Sequence, residues 1–132
     1  MKLDSFKLNY NINEFITLIG STPNGDVLHQ QGPFNLTSKR NTSPIASSQL
    51  VTVTEIRIPE SSNTVIETYN YSIAATGDLL EYSFLTSPSL TSTHSKRGYV
   101  TKASGPLFGE LGSSEVMHKT LPTMGDIEVI FT

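Results

Sequence analysis

The sequence predicts an all-β fold, a mainly antiparallel meander that closes into a small barrel of about eight strands. Its apolar stretches alternate with polar residues or are rich in β-branched and aromatic side chains, as strands are. Turn-forming residues separate these stretches at hairpin-length intervals, which makes neighbouring strands antiparallel. So many short strands must close into a barrel or stack to hide their edges, and a β-sandwich is therefore the alternative.

The chain length favours one domain. With 132 residues the protein can form a hydrophobic core without disulfides or metal ions to stabilise it, and no linker or internal repeat divides the chain. We therefore expect a single all-β domain over residues 1–132. The hydrophobic fraction of 36% and the absence of Trp predict a modest core of Ile, Val, Leu, Tyr and Phe. In outline, antiparallel and glycine-kinked, the chain is similar to calycin and dirigent-type barrels, an analogy of architecture alone.

The composition argues against several classes of function. Nine basic and twelve acidic residues give a net charge of −3 without a basic stripe, so we expect no nucleic-acid partner. The absence of Cys excludes disulfides, thiolate zinc sites and a Cys nucleophile. No metal-ligand spacing or cofactor motif stands out, so no metal or cofactor is expected. The N-terminus lacks the apolar region of a signal peptide and no stretch is long enough to cross a membrane, which predicts a soluble, cytoplasmic protein.

The two ends of the chain are predicted to pair. Residues 3–12 alternate so that even positions such as Phe6 and Leu8 face inward. In the last residues, IEVIFT, the side chains of Ile127, Val129 and Phe131 point to one side. A terminal strand of this quality is expected to lie beside the first one.

The centre of the chain predicts a three-stranded meander. Residues 50–58 and 64–73 form a hairpin in which Ile58 pairs with Thr64, and a turn at Gly77-Asp78 then places Tyr71 opposite Phe84. β-Branched and aromatic cross-strand pairs of this kind stabilise a sheet. The shared apolar face comprises Val51, Val53, Tyr69, Tyr71, Ile73, Leu80, Tyr82 and Phe84.

The tip of the first hairpin breaks this pattern. There Ile56, Ile58 and Ile66 put the apolar side chains on even positions, and both strands change at the same rung. A bulge would shift only one strand, so the joint change predicts a coiled hairpin that exchanges faces, as strands do at barrel corners.

Three charged residues lie at this change of face. The predicted register places Glu55 opposite Glu67, with Arg57 one step along the same face. Two facing carboxylates repel each other unless a cation or a proton lies between them, and a guanidinium can bridge them. Either the cluster is a solvated surface network, or it is a polar floor inside the barrel.

The last third of the chain is predicted from weaker patterns. Residues 37–48 form a polar loop and residues 90–94 a weak strand, followed by a turn that contains Lys96. The glycines of residues 105–112 lack the Gly-Lys-Ser/Thr of a phosphate loop and are interpreted as strand kinks. A short helical turn is expected from Ser113. His118 lies there too, and the sequence indicates no interaction partner for it.

The function predicted from these features is non-enzymatic binding of a small, mostly apolar ligand in the barrel. The predicted ligand contacts are Glu55, Arg57, Glu67, Tyr69, Tyr71, Tyr82 and Phe84. A first alternative is a structural, self-assembling subunit, and a homo-oligomer stays open in either case. A second alternative is a small isomerase or cyclase with Glu55 or Glu67 as general base. No catalytic residue is assigned beyond that alternative.

Overall fold

The computed structural model describes residues 3–9, 16–22, 25–37, 49–86, 95–120 and 127–132. Side chains are described within residues 3–8, 52–86, 95–119 and 127–132. The predicted strand at 90–94, and all but the first residue of the predicted loop at 37–48, lie outside the described residues.

The described chain consists almost entirely of strands. They are β1 Ser5–Asn9, β2 Ile16–Thr22, β3 Gly25–Thr37, β4 Gln49–Pro59, β5 Val65–Ile73, β6 Asp78–Thr86, β7 Ser95–Ser104, β8 Glu115–Thr120 and β9 Ile127–Phe131. One short 3-10 helix, Gly109–Leu111, precedes β8. Within the described ranges, no helix has the length and apolar character needed to cross a membrane.

All nine strands belong to one antiparallel sheet, which confirms the all-β, antiparallel prediction. Six successive antiparallel pairings join the seven strands from β3 to β9 in chain order, forming the predicted meander. This meander curls into an open half-barrel. The described strands do not divide into the two stacked sheets of a sandwich. The predicted pairing of the chain ends is confirmed, since Phe6 of β1 lies opposite Val129 of β9.

The prediction of a closed barrel of about eight strands is wrong. β1 reaches β3 over only three residue pairs, from Lys7 with Thr37 to Asn9 with Asn35. Residues 25–31 on that edge of β3 are already paired with β2. Among the described strands, none pairs with the other edge of β2. Because β2 occupies the edge that a closing strand needs, the circle stays open beside it.

The registers of both central hairpins differ from those predicted. In β4–β5, Val53 lies opposite Tyr71 rather than Tyr69. In β5–β6, Tyr71 lies opposite Leu80 rather than Phe84, because the turn between these strands spans residues 74–77 and is therefore centred earlier in the chain than the predicted Gly77-Asp78 turn. Gly77 closes that turn with a φ of 75°. Both shifts are even numbers of residues, so the members of the predicted apolar face stay on one face.

The predicted apolar face is buried and forms the core. It is the inner face of the half-barrel, and its described members are Val53, Tyr69, Tyr71, Ile73, Leu80, Tyr82 and Phe84. The side chain of Val51 lies outside the described residues. The inward positions predicted for the two terminal strands are also confirmed, and Phe6 of β1 packs its ring 5.9 Å from that of Phe131 of β9.

The predicted exchange of faces at the hairpin tip is wrong. β5 alternates without a break from Val65 to Ile73, so its odd positions face inward along the whole strand. Glu67 is therefore buried on the inner face, while Ile58 is exposed on the outer one. The apolar pattern was misleading here because a charged residue occupies an inner position and isoleucines occupy outer ones.

The glycine-rich segment before β8 is a loop and not a kinked strand. Asp78, buried at the start of β6, accepts hydrogen bonds from the backbone N–H groups of Leu107 at 2.7 Å and Phe108 at 3.1 Å. The helical turn predicted from Ser113 is wrong as well, because residues 115–120 form β8 with alternating burial. The carboxylate of Asp78 thus holds the loop between β7 and β8 against the sheet.

Candidate functional site

The inner face of β4, β5 and β6 is arranged in rows of cross-strand neighbours. Arg57 lies opposite Glu67, and Glu55 lies opposite Tyr69. Glu67 in turn lies opposite Phe84. The predicted pair of facing carboxylates therefore does not form, because the register shift brings a cation opposite Glu67 instead. All three predicted charged residues nevertheless share one face and one neighbourhood.

Glu67 is held by groups from two further strands. The carboxylate is 1% exposed, and the Nζ of Lys96 on β7 lies 3.1 Å from each of its oxygens. The hydroxyl of Thr86 on β6 donates to Oε1 at 2.9 Å. A buried carboxylate is tolerated only with such partners. Sequence reasoning missed Lys96, which was expected in an exposed turn but lies on an inward position of β7.

Arg57 lies at the solvent-accessible side of this group. Its side chain is 43% exposed, and its guanidinium approaches Oε1 of Glu67 no closer than 3.6 Å. That separation is too long for a hydrogen bond, so the pair is held by charge alone. The Nε of Arg57 is buried and has no hydrogen-bond partner among the described residues. Arg57 therefore carries an unused donor next to two carboxyl groups.

Glu55 is half-buried beside Arg57 and binds the proton more readily than an ordinary glutamate. Burial raises the pKa of this carboxyl most, and the neighbouring charge of Glu67 raises it further. A hydrogen bond from Tyr69 and the charges of Arg57 and Lys96 oppose that rise in pKa. Burial also raises the pKa of Tyr69, so its hydroxyl keeps its proton as a donor to Glu55.

The four predicted aromatic residues pack against one another deeper on the same face. The ring of Tyr69 lies 5.7 Å from that of Tyr82 and 5.9 Å from that of Phe84, and Tyr71 lies 5.7 Å from Tyr82. Tyr71 and Tyr82 share a 2.5 Å hydrogen bond between their hydroxyls. With 1% and 0% exposure, these two tyrosines are core residues that a solute reaches only if the core opens.

His118 of β8 completes the aromatic group and was not identified as a site residue from the sequence. Its Nδ1 lies 2.5 Å from the hydroxyl of Tyr82, and its ring lies 4.3 Å from that of Tyr69. Burial, and then the charge of Lys96, lowers its pKa to about 3. His118 is therefore a neutral, hydrogen-bonded member of the core at neutral pH. Because Val116 and His118 occupy alternate positions, the sequence could have placed His118 on the same inner face of a strand as Val116.

The described side chains include no group of three or more His, Cys, Asp or Glu residues that could hold a metal ion. What the site offers a ligand is thus the donor of Arg57, the half-buried carboxyl of Glu55 and the aromatic rings beside them. Comparison of the chain with protein-family models, with curated proteins and with solved structures finds no match.

Proposed function

We propose that the protein binds a small, mostly apolar molecule at the end of the inner face where Arg57 and Glu55 lie, without transforming it. The buried Nε of Arg57, which has no partner among the described residues, is the observation that carries this proposal. Buried donors almost always have an acceptor, and a bound molecule would supply one. Concave sites that combine apolar walls with a few polar groups are the usual form of small-molecule sites.

The proposal gives the predicted residues different roles. Arg57 and Glu55 contact the ligand, because they are the members of the group that reach solvent. Tyr69 and Phe84 form the apolar wall next to them, since they lie in the same two rows of the sheet. Glu67 neutralises Lys96 and helps to position Arg57. Tyr71 and Tyr82 support Tyr69 from the core and do not touch the ligand.

Native mass spectrometry of the protein as purified from cells tests this proposal. We expect a monomer or a dimer that carries a persistent small-molecule adduct at gentle desolvation. The Arg57→Met variant keeps the apolar stem of the side chain and should lose most of the adduct. The matched control is Arg97→Met, because Arg97 is 70% exposed and its ion pair among the described residues is a 3.8 Å contact with Glu115. Bare protein, or equal adduct in both variants, would contradict the proposal.

Proton-transfer catalysis is a second candidate, and the raised pKa of Glu55 favours it. Glu67 is the weaker candidate for the catalytic group, because Lys96 and Thr86 already bind its oxygens. A mass-neutral conversion of the adduct molecule, followed by chromatography, would identify an isomerase or cyclase. The Glu55→Gln variant should then retain binding and lose the conversion. If it retains both, Glu55 is not the catalytic group.

Assembly is a third candidate, favoured by apolar side chains on the outer face. Ile58, Ile66 and Leu85 are successive cross-strand neighbours there, and Leu85 is 65% exposed. A bare, large and well-defined oligomer in the same mass spectrum would support assembly over binding. Leu85→Lys should dissociate such an oligomer, because it places a charge at the most exposed position of the row.

A further inference from the structure

Arg57 lacks a closely bound carboxylate partner within the described residues. Lys96 neutralises Glu67 through contacts of 3.1 Å to both carboxylate oxygens. The ion pair of Arg57 among the described residues is the one with Glu67, at 3.6 Å. Burial and the charge of Glu67 raise the pKa of Glu55, so this carboxyl counters the charge of Arg57 less well than an ordinary glutamate would. Among the described groups of the site, the guanidinium of Arg57 is therefore the cation without a hydrogen-bonded anion.

The site also contains a hydrogen-bond donor that has no acceptor among the described residues. The Nε of Arg57 is buried without an acceptor among the described residues. The protonated form of Glu55 adds a second donor on the same strand and the same face. Burying donors without acceptors costs free energy, so an acceptor bound there is stabilising. One residue of the neighbouring strand, Asp26, is in register with Arg57, although only its backbone is described.

We infer that the polar group of the ligand is a carboxylate, bound to the guanidinium of Arg57 with its apolar body against Tyr69 and Phe84. This inference rests on the proposed function and names its ligand class, a small monocarboxylic acid with an aromatic or aliphatic body. A carboxylate is planar, accepts two parallel hydrogen bonds from a guanidinium and neutralises its charge. A neutral ligand would accept the hydrogen bond from the Nε of Arg57 but would leave the positive charge of the guanidinium uncompensated.

Calorimetric titration with matched probe pairs tests the inference. The pairs are 4-phenylbutyrate with 4-phenylbutyramide, and octanoate with octanamide, which share their bodies and differ in the head group. In the unmodified protein, each carboxylate should bind at least about tenfold more tightly than its amide, as expected for a charge-assisted hydrogen bond. Arg57→Met should remove this preference, so that each carboxylate binds no more tightly than its amide. Arg97→Met should leave both unchanged.

Two further variants separate the sources of the effect. Arg57→Lys keeps the charge but lacks Nε, so it should retain only part of the preference. Asp26→Asn should leave the preference intact if a ligand is the acceptor for Arg57. A preference that is absent in the unmodified protein and arises only in Asp26→Asn would show that Asp26 already fills that place, and would overturn the inference.

The outcomes also separate this inference from the proposed function. If carboxylate and amide bind with equal affinity, the carboxylate class is wrong and small-molecule binding stands. If no probe binds and native mass spectrometry shows bare protein, the binding proposal is wrong as well. If the carboxylates bind tightly but Arg57→Met has no effect, the head group lies elsewhere and the inference fails.

Discussion

The ammonium group of Lys96 lies 3.1 Å from both carboxylate oxygens of Glu67, and this contact joins β7 to β5 across β6 inside the half-barrel. Both side chains are largely removed from water, with 10% exposure for Lys96 and 1% for Glu67. Each charge is stable there only because the other is present, so the two residues should behave as a unit.

Removing one member of this pair should destabilise the fold strongly. Lys96→Met leaves Glu67 buried with a weaker cationic partner, and we expect it to lower the free energy of unfolding by about 3–5 kcal/mol. The double variant with Glu67→Gln removes the uncompensated charge and should recover a large part of that loss. Urea unfolding at pH 7 measures both values.

The matched control for this prediction is Lys102→Met, since Lys102 lies on the same strand and is exposed. It should change the free energy of unfolding by no more than about 0.5 kcal/mol. Equal effects of Lys96→Met and Lys102→Met would show that the buried pair contributes nothing beyond an ordinary surface lysine.

The close approach of β7 to β6 should depend on Gly98. A Cβ atom at this position would lie 1.9 Å from the carbonyl oxygen of Ser83 and 2.9 Å from the Cβ of Phe84. Because the first of these atoms belongs to the backbone, Gly98→Ala must separate the strands and should cost about 3 kcal/mol in thermal or urea unfolding. Gly109→Ala is the control, since its Cβ would meet nothing closer than 3.8 Å. A Gly98→Ala variant as stable as this control would contradict the contact.

The faces of the strands could be predicted from the sequence, whereas their registers could not. Alternation assigns Tyr71, Tyr82 and Phe84 to one side whatever their partners are, and an even register shift leaves that assignment intact. The register depends on where each turn is centred along the chain. The turn between β5 and β6 was expected at residues 77–78 but spans residues 74–77, which moves its centre toward β5 and changes every pair.

The site could be predicted only in part, because its partners are distant in the sequence. Glu67 and Lys96 are 29 positions apart, and Tyr82 and His118 are 36 apart. A charged residue at an inner position looks like an exchange of faces until its counter-ion is known. Glu55, Arg57 and Glu67 were thus recognised because they interrupt the apolar alternation. The contacts of Lys96 with Glu67 and of His118 with Tyr82 could be recognised only in the folded sheet.

Asp78 should be essential for fixing the loop between β7 and β8. Its Oδ1 accepts the backbone N–H groups of Leu107 and Phe108, and its Oδ2 accepts the hydroxyl of Thr76 at 2.5 Å. Asp78→Ala leaves these donors unpaired and should cost about 3 kcal/mol. Asp78→Asn keeps one carbonyl acceptor and should cost clearly less. Hydrogen exchange of the Leu107 and Phe108 amides should rise in the alanine variant, and unchanged protection would contradict this role.

The neutral state of His118 should make the protein sensitive to acid. Its pKa falls from an ordinary value of 6.5 to about 3 in the folded state, so the unfolded chain binds more protons between these pH values. Stability from this group is therefore complete above pH 6.5 and is lost as the pH falls toward about 3. Because each pKa unit corresponds to about 1.4 kcal/mol, the loss is on the order of 5 kcal/mol.

The His118→Gln variant tests this acid sensitivity. Glutamine can still hydrogen-bond to Tyr82, so the variant should fold, with lower stability at pH 7 but a flatter decline between pH 6 and pH 4 in urea titrations. Glu55→Gln is the opposite control, because the raised pKa of Glu55 means that its stabilising contribution is present at low pH and is lost as the pH rises through its folded value. Removing Glu55 should therefore steepen the acid decline. A decline that is unchanged in His118→Gln would mean that the histidine is not the group that takes up the proton.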